Sequence, residues 1–158
     1  MEGKYRVRIE LDFASGHRLL EHNGKCVFPH GHTYRAEIWV ASDVLNDLGF
    51  VIDFTELKRK VNGWIEENWD HAFLVNSRDV ELLNALRAVK GSRVFVFPEE
   101  NPSAEVMARE LYLRAQELCD IEPLRVRVWE SPTQYAEFYR ASPGPIEEVF
   151  PDHGRRGG

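Results

Sequence analysis

Long apolar runs are missing from this 158-residue chain. No stretch approaches the roughly 20 residues that a membrane-spanning helix needs. The start, Met1-Glu2-Gly3-Lys4, lacks a basic region followed by an apolar stretch, so no export signal is expected and the chain reads as cytoplasmic. Cysteine is scarce: Cys26 and Cys119 are the two present, far apart, and each is expected to be a free thiol. Basic excess is missing too, since 20 Lys and Arg against 26 Asp and Glu give a net charge of −6. Without a dense basic stripe, extended nucleic-acid binding is not expected. A small phosphorylated ligand is compatible with this charge, because it needs only a few cations such as Arg18 and Lys25. Internal repeats and low-complexity segments are absent as well.

What is present suffices for one core. With 43% hydrophobic residues and four tryptophans, the chain reads as a single domain over 1–141. The remainder, 142–158, is rich in proline, glycine and charge and cannot bury enough apolar surface to order itself alone.

Tyr5, Val7, Ile9, Leu11 and Phe13 alternate with Arg6, Arg8, Glu10 and Asp12, which predicts a half-buried strand. Tyr34, Ala36, Ile38 and Val40 resume the alternation and predict a second strand paired with the first. The polar segment 14–29 between them is long for a hairpin connection and is expected to carry function. Asp53 with Glu56 predicts a capping box and a helix to about Asn68. A shorter helix is expected over 79–89 and a strand over 93–97. A further helix opens at Asn101-Pro102-Ser103 and runs to Leu118. Leu124, Val126 and Val128 alternate with Arg125, Arg127 and Trp129, and 135–140 follows a Ser131-Pro132-Thr133 turn, which predicts a closing hairpin. The fold class is α+β.

Residues two apart on a strand share a face, so His30 and His32 can present two imidazoles to one ion, with Gly31 avoiding crowding around it. His17, just beyond the first strand, becomes a third ligand if the strands pair. Three protein ligands leave a position open, as in a catalytic zinc site. An isolated H-x-H is more often two strand histidines without a metal. Cys26, four residues before His30, has three readings: a nucleophile or base favoured as thiolate, a fourth ligand closing a structural site, or a small buried hydrophobe. Asp70-His71 can act as a proton relay, with the carboxylate orienting the imidazole, provided the backbone there is irregular; the alternative is a structural histidine. Glu130, at a strand end, can accept from an amidine-like donor edge or simply be solvated.

Phe13-Ala14-Ser15-Gly16-His17, Cys26-x3-His30-Gly31-His32-x-Tyr34, Asp53-Phe54, Asp70-His71, Asn101-Pro102-Ser103-Ala104-Glu105 and Trp129-Glu130-Ser131-Pro132 together resemble the 6-pyruvoyl-tetrahydropterin synthase family. The short Cys26-to-His30 spacing is similar to its 6-carboxy-tetrahydropterin-forming members. The resemblance implies a tunnelling fold: a four-stranded antiparallel sheet with helices on one face, closing into a barrel in trimers that stack as hexamers. It implies Zn2+ on His17, His30 and His32, and catalysis by Cys26, Asp70 and His71, with Asp70 and His71 serving a neighbouring subunit's zinc. Glu130 would anchor the pterin of 7,8-dihydroneopterin triphosphate. Products would be 6-carboxy-tetrahydropterin, acetaldehyde and triphosphate, on the route to 7-deazapurines and queuosine. The rivals are a pyruvoyl-forming phosphate lyase and a non-catalytic pterin-binding or structural zinc protein. Gly16, Pro29, Ser103 and Val75 depart from the usual pattern, and they bear on which substrate side chain is accepted.

Overall fold

The computed structural model describes residues 4–140, so the segment read as a tail lies outside the described residues. Strands β1 (Tyr5–His17) and β2 (His30–Ser42) form the backbone of the fold. They pair antiparallel over their full length, from Tyr5 opposite Ser42 to His17 opposite His30. Helix α1 (Phe54–Asn68) follows, then β3 (Ala72–Asn76), α2 (Val80–Ala88), β4 (Val94–Phe97), α3 (Ala104–Cys119), β5 (Arg125–Ser131) and β6 (Gln134–Phe138). They make one sheet in the order β4-β3-β1-β2-β5-β6.

The sheet therefore has six strands, where four were expected. The antiparallel four are β1, β2, β5 and β6; β3 and β4 add a parallel extension beside the end of β1. Strand β3 escapes an alternation test because both its faces are covered, which makes it a continuous apolar run. Leu74 joins the main core, whereas Val75, with Phe73 packed against it, joins Leu82, Leu83 and Leu86 of α2 in a second, smaller one. Helices are thus not all on one face: α1 and α3 cover the main core, and α2 covers the reverse side of β3.

The three expected helices all form. Asp53 caps α1 by accepting from the N–H groups of Thr55 and Glu56. The reciprocal half of the capping box is not made, because Glu56 pairs with Lys60 at 2.8 Å instead. Asp79 caps α2 and Ser103 caps α3 in the same manner. In the main core, Ile9, Leu11, Phe13, Tyr34, Ala36 and Ile38 meet Leu57, Val61, Ile65, Met107 and Leu111. Alternation sends the opposite side chains of these strands into an ionic lattice, including Arg8 with Glu10 at 2.7 Å and Arg127 with Glu137 at 2.6 Å. Among the described residues, no helix is long and apolar enough to cross a membrane.

Candidate metal centre

The β1–β2 ladder brings His17 directly opposite His30, and His32 follows two residues along on the same face. Ligand atoms of these three side chains all lie within 4.8 Å of one another. Ring centroids are 4.6 Å apart for His17 and His30, 5.2 Å for His17 and His32, and 4.9 Å for His30 and His32. Gly31, between the two β2 histidines, also lies where the strands approach closely. A Cβ there would stand 3.0 Å from the Ser15 carbonyl oxygen, so the close approach is between the strands themselves.

Tautomers follow from the backbone. His17 Nδ1 is 2.8 Å from the Pro102 carbonyl and His30 Nδ1 is 2.7 Å from the Phe28 carbonyl. A carbonyl only accepts, so both Nδ1 atoms carry a proton and, in the neutral imidazoles, both Nε2 atoms present lone pairs. Those Nε2 atoms face each other at 3.1 Å. The Tyr34 hydroxyl, 3.2 Å from His17 Nε2, can serve that nitrogen but leaves the lone pair of His30. Two lone pairs this close repel, and a shared cation removes the repulsion; the residues fit a metal ion. Protonation is disfavoured as a substitute. Burial and the neighbouring imidazoles, against a hydrogen bond to Pro102, lower the His17 pKa to about 4, and burial also lowers that of His32. Neutral imidazoles suit zinc and other divalent transition metals.

Two further groups border the trio. Glu130 Oε1 is 4.0 Å from His17 Nε2, brought there at an irregularity in the β5–β6 pairing between Trp129 and Ser131. Cys26 is a half-buried free thiol on a single 3₁₀ turn, Lys25–Val27. It does not belong to the group of mutually close ligand atoms, and the carbonyl of Cys26 accepts from the N–H of Leu19 at 2.8 Å. Cys119 is likewise a free, half-buried thiol, at the end of α3.

Asp70 and His71 do face each other, with His71 Nδ1 2.8 Å from Asp70 Oδ2. Regular structure would splay these neighbours; the left-handed backbone of His71, φ 55°, turns them together. Their anchor is Ala14 of β1, whose N–H donates to Asp70 Oδ1 at 2.9 Å and whose carbonyl accepts the His71 N–H at 2.7 Å. Burial pushes the Asp70 carboxyl up, but the Ala14 and His71 hydrogen bonds and the charges of His71 and Arg93 hold it below the usual range. His71 lines an open depression of about 530 Å³ together with His30, His32, Ser15, Gly16 and Phe73. Within one chain, then, His71 already shares a space with two histidines of the trio, His30 and His32.

The sequence profile described as 6-pyruvoyl tetrahydropterin synthase matches residues 6–141. The chain belongs to that family. A Rickettsia bellii protein named 6-carboxy-5,6,7,8-tetrahydropterin synthase is 32% identical over 82% of this chain and 95% of its own length. A Haemophilus influenzae protein of the same name is 31% identical over 85% of this chain and 98% of its own. Among solved structures, the 6-pyruvoyl tetrahydropterin synthase of Caenorhabditis elegans superposes with a TM-score of 0.66 at 18% identity, covering 88% of this chain and 97% of that one. The Plasmodium falciparum enzyme of that name gives 0.65 at 22% identity, over 87% and 98%. These two speak for the fold.

Some residues of the site were not singled out by the sequence. Pro102 and Phe28 act through backbone carbonyls, which no side-chain motif can announce. Asn101 was read as the opening of a helix and as part of a family motif, with no role of its own. Arg18, expected as a cation for phosphate, is committed elsewhere: it is bidentate to Asp79, with both contacts at 2.5 Å, and also meets Glu81 at 3.0 Å.

Proposed function

We infer that this chain is a zinc-dependent lyase that converts 7,8-dihydroneopterin triphosphate and one water molecule to 6-carboxy-5,6,7,8-tetrahydropterin, acetaldehyde and triphosphate. The observation that carries the reading is the 3.1 Å separation of His17 Nε2 and His30 Nε2, with each Nδ1 within hydrogen-bond distance of a backbone carbonyl. His17, His30 and His32 would hold the metal, leaving a coordination position open. Bound there, zinc supplies Lewis acidity toward the hydroxyl oxygens of the substrate side chain. Curated relatives at 31% and 32% identity carry the 6-carboxy name, which favours that product over the pyruvoyl one.

The chain's own groups divide the remaining work. Glu130 accepts from the amino and ring N–H donors of the pterin, a charge-assisted pairing that fixes the ring. Cys26 as thiolate takes a proton from the side-chain carbon next to a hydroxyl. His71, oriented by Asp70, delivers and collects protons as the side chain rearranges and leaves. Among the described residues β4 and β6 are the outer strands, and copies of the chain associating through them would remove those sheet edges, so a homo-oligomer belongs to the same reading, as does a cytoplasmic location.

The test is product analysis of the zinc-loaded protein with 7,8-dihydroneopterin triphosphate. Acetaldehyde in step with 6-carboxy-tetrahydropterin is the expected outcome. Pyruvoyl-tetrahydropterin without acetaldehyde would replace the carbon–carbon lyase by a phosphate lyase, and no turnover with zinc bound would leave a binding protein.

A further inference from the structure

The segment between β1 and β2 carries Cys26 but contains no regular structure beyond one 3₁₀ turn, so something else must hold it in register with the histidines. Asn101 supplies two of its fastenings. Its Oδ1 accepts from the N–H of Leu20 at 2.9 Å, and its Nδ2 donates to the carbonyl of the same residue at 2.9 Å. One planar amide thus does for Leu20 what a neighbouring strand would do. Only Asn and Gln offer a donor and an acceptor side by side on one neutral group, and Gln is a methylene too long for this span. From Leu20 the connection continues through the chain to Leu19, whose N–H donates to the Cys26 carbonyl at 2.8 Å.

The amide is itself held firmly. Buried Asn76, at the end of β3, donates to Asn101 Oδ1 at 3.2 Å, and Asn76 Oδ1 accepts from the N–H of Arg78 at 2.9 Å. The next residue along, Pro102, receives the Nδ1 proton of His17. Two consecutive residues therefore grip the two halves of the site: Pro102 sets the tautomer and orientation of a metal ligand, and Asn101 sets the loop that carries the thiol. We propose that Asn101 is a positioning residue, which registers Cys26 against the histidine trio through Leu20 and Leu19. The proposal rests on the catalytic role of Cys26 inferred above.

Asn101→Ala and the isosteric Asn101→Asp, which keeps an acceptor but loses the donor, are compared with the unaltered protein in full-length, zinc-loaded form. Zinc content should be unchanged, since the His17 contact uses the Pro102 carbonyl. With 7,8-dihydroneopterin triphosphate, kcat should fall roughly 10- to 100-fold and KM should stay within about threefold, as for a displaced but intact catalytic group. In substrate-free protein, iodoacetamide alkylation of Cys26, followed by peptide mass, should accelerate roughly tenfold in Asn101→Ala, where both hydrogen bonds to Leu20 are lost, and at least about threefold in Asn101→Asp, where one is. Asn62→Ala, which removes an exposed amide contact on α1, should move neither readout. Alkylation within about twofold of the unaltered protein overturns the proposal, as does a fall in kcat that tracks zinc loss. If neither variant folds with zinc bound, Asn101 is a residue of the fold alone and the proposal also fails. Alkylation needs no pterin chemistry, so absence of turnover in the unaltered protein would sink the inferred function, while the alkylation rates would still decide whether Asn101 clamps the loop.

Discussion

The three histidines and the three proposed acid–base residues sit on opposite kinds of backbone. His17, His30 and His32 stand on the end of a thirteen-residue antiparallel pairing, where strand spacing and alternation dictate their positions. Cys26, Asp70 and His71 stand on a 3₁₀ turn and on a left-handed residue, where particular hydrogen bonds to Leu19 and Ala14 hold them. The difference teaches a division of labour: metal ligands need fixed mutual distances, and a ladder supplies them. Groups that move protons need orientation toward a changing partner, which irregular backbone permits.

The largest expected effect bears on the ladder side. His17→Ala removes the most buried of the three proposed ligands and should abolish stoichiometric zinc binding, with kcat/KM falling by about 10³-fold or more, measured by metal analysis and turnover together. A variant that keeps both would break the comparison, because the ladder would then not be the metal-holding region.

Acid should weaken the same region in metal-free protein. With a folded pKa of about 4 against an ordinary 6.5, His17 resists a proton that the unfolded chain accepts. Stability therefore drops as the pH falls through that window and levels off below it, by up to about 3 kcal/mol. Denaturant midpoints between pH 7 and pH 4 check this, and zinc should shift the loss to lower pH because it competes with the proton.

On the irregular side, Asp70→Asn should leave zinc in place and lower kcat by roughly 10- to 100-fold, the usual range for losing a carboxylate that orients an imidazole. The variant keeps an oxygen to accept from Ala14, so thermal unfolding should change little. A large stability loss instead would mean that Asp70 serves the fold, and the two regions would differ less than their backbones suggest. Gly31→Ala sharpens the ladder side with the smallest effect. Its Cβ meets the Ser15 carbonyl oxygen at 3.0 Å, and the strands must part slightly, at a cost of about 1 kcal/mol read from urea unfolding.

Legibility in the sequence follows the same division. Alternation along β1, β2 and β5 and the caps at Asp53 and Ser103 were readable because each has a local physical cause in the residues themselves. Strand β3 was not, since burial on both faces erases the alternation that marks a strand. The placement of α2 on the reverse face followed from β3 and was lost with it. His30 and His32 could be paired from spacing, and His17 once strand pairing was assumed. Asp70 and His71 could be suspected from adjacency, but the turn that makes them face each other depends on Ala14, more than fifty residues earlier. The contacts of Asn101 and Pro102 escaped because their partners, Leu20 and His17, are more than eighty residues away.

The separation of metal ligands from acid–base groups is tested most directly by the zinc content of Cys26→Ala. The expected result is one tightly bound zinc per chain in both the unaltered protein and the variant, with turnover of 7,8-dihydroneopterin triphosphate lost in the variant alone. Loss of the zinc would contradict it: Cys26 would then be a fourth ligand, and the centre a closed structural site.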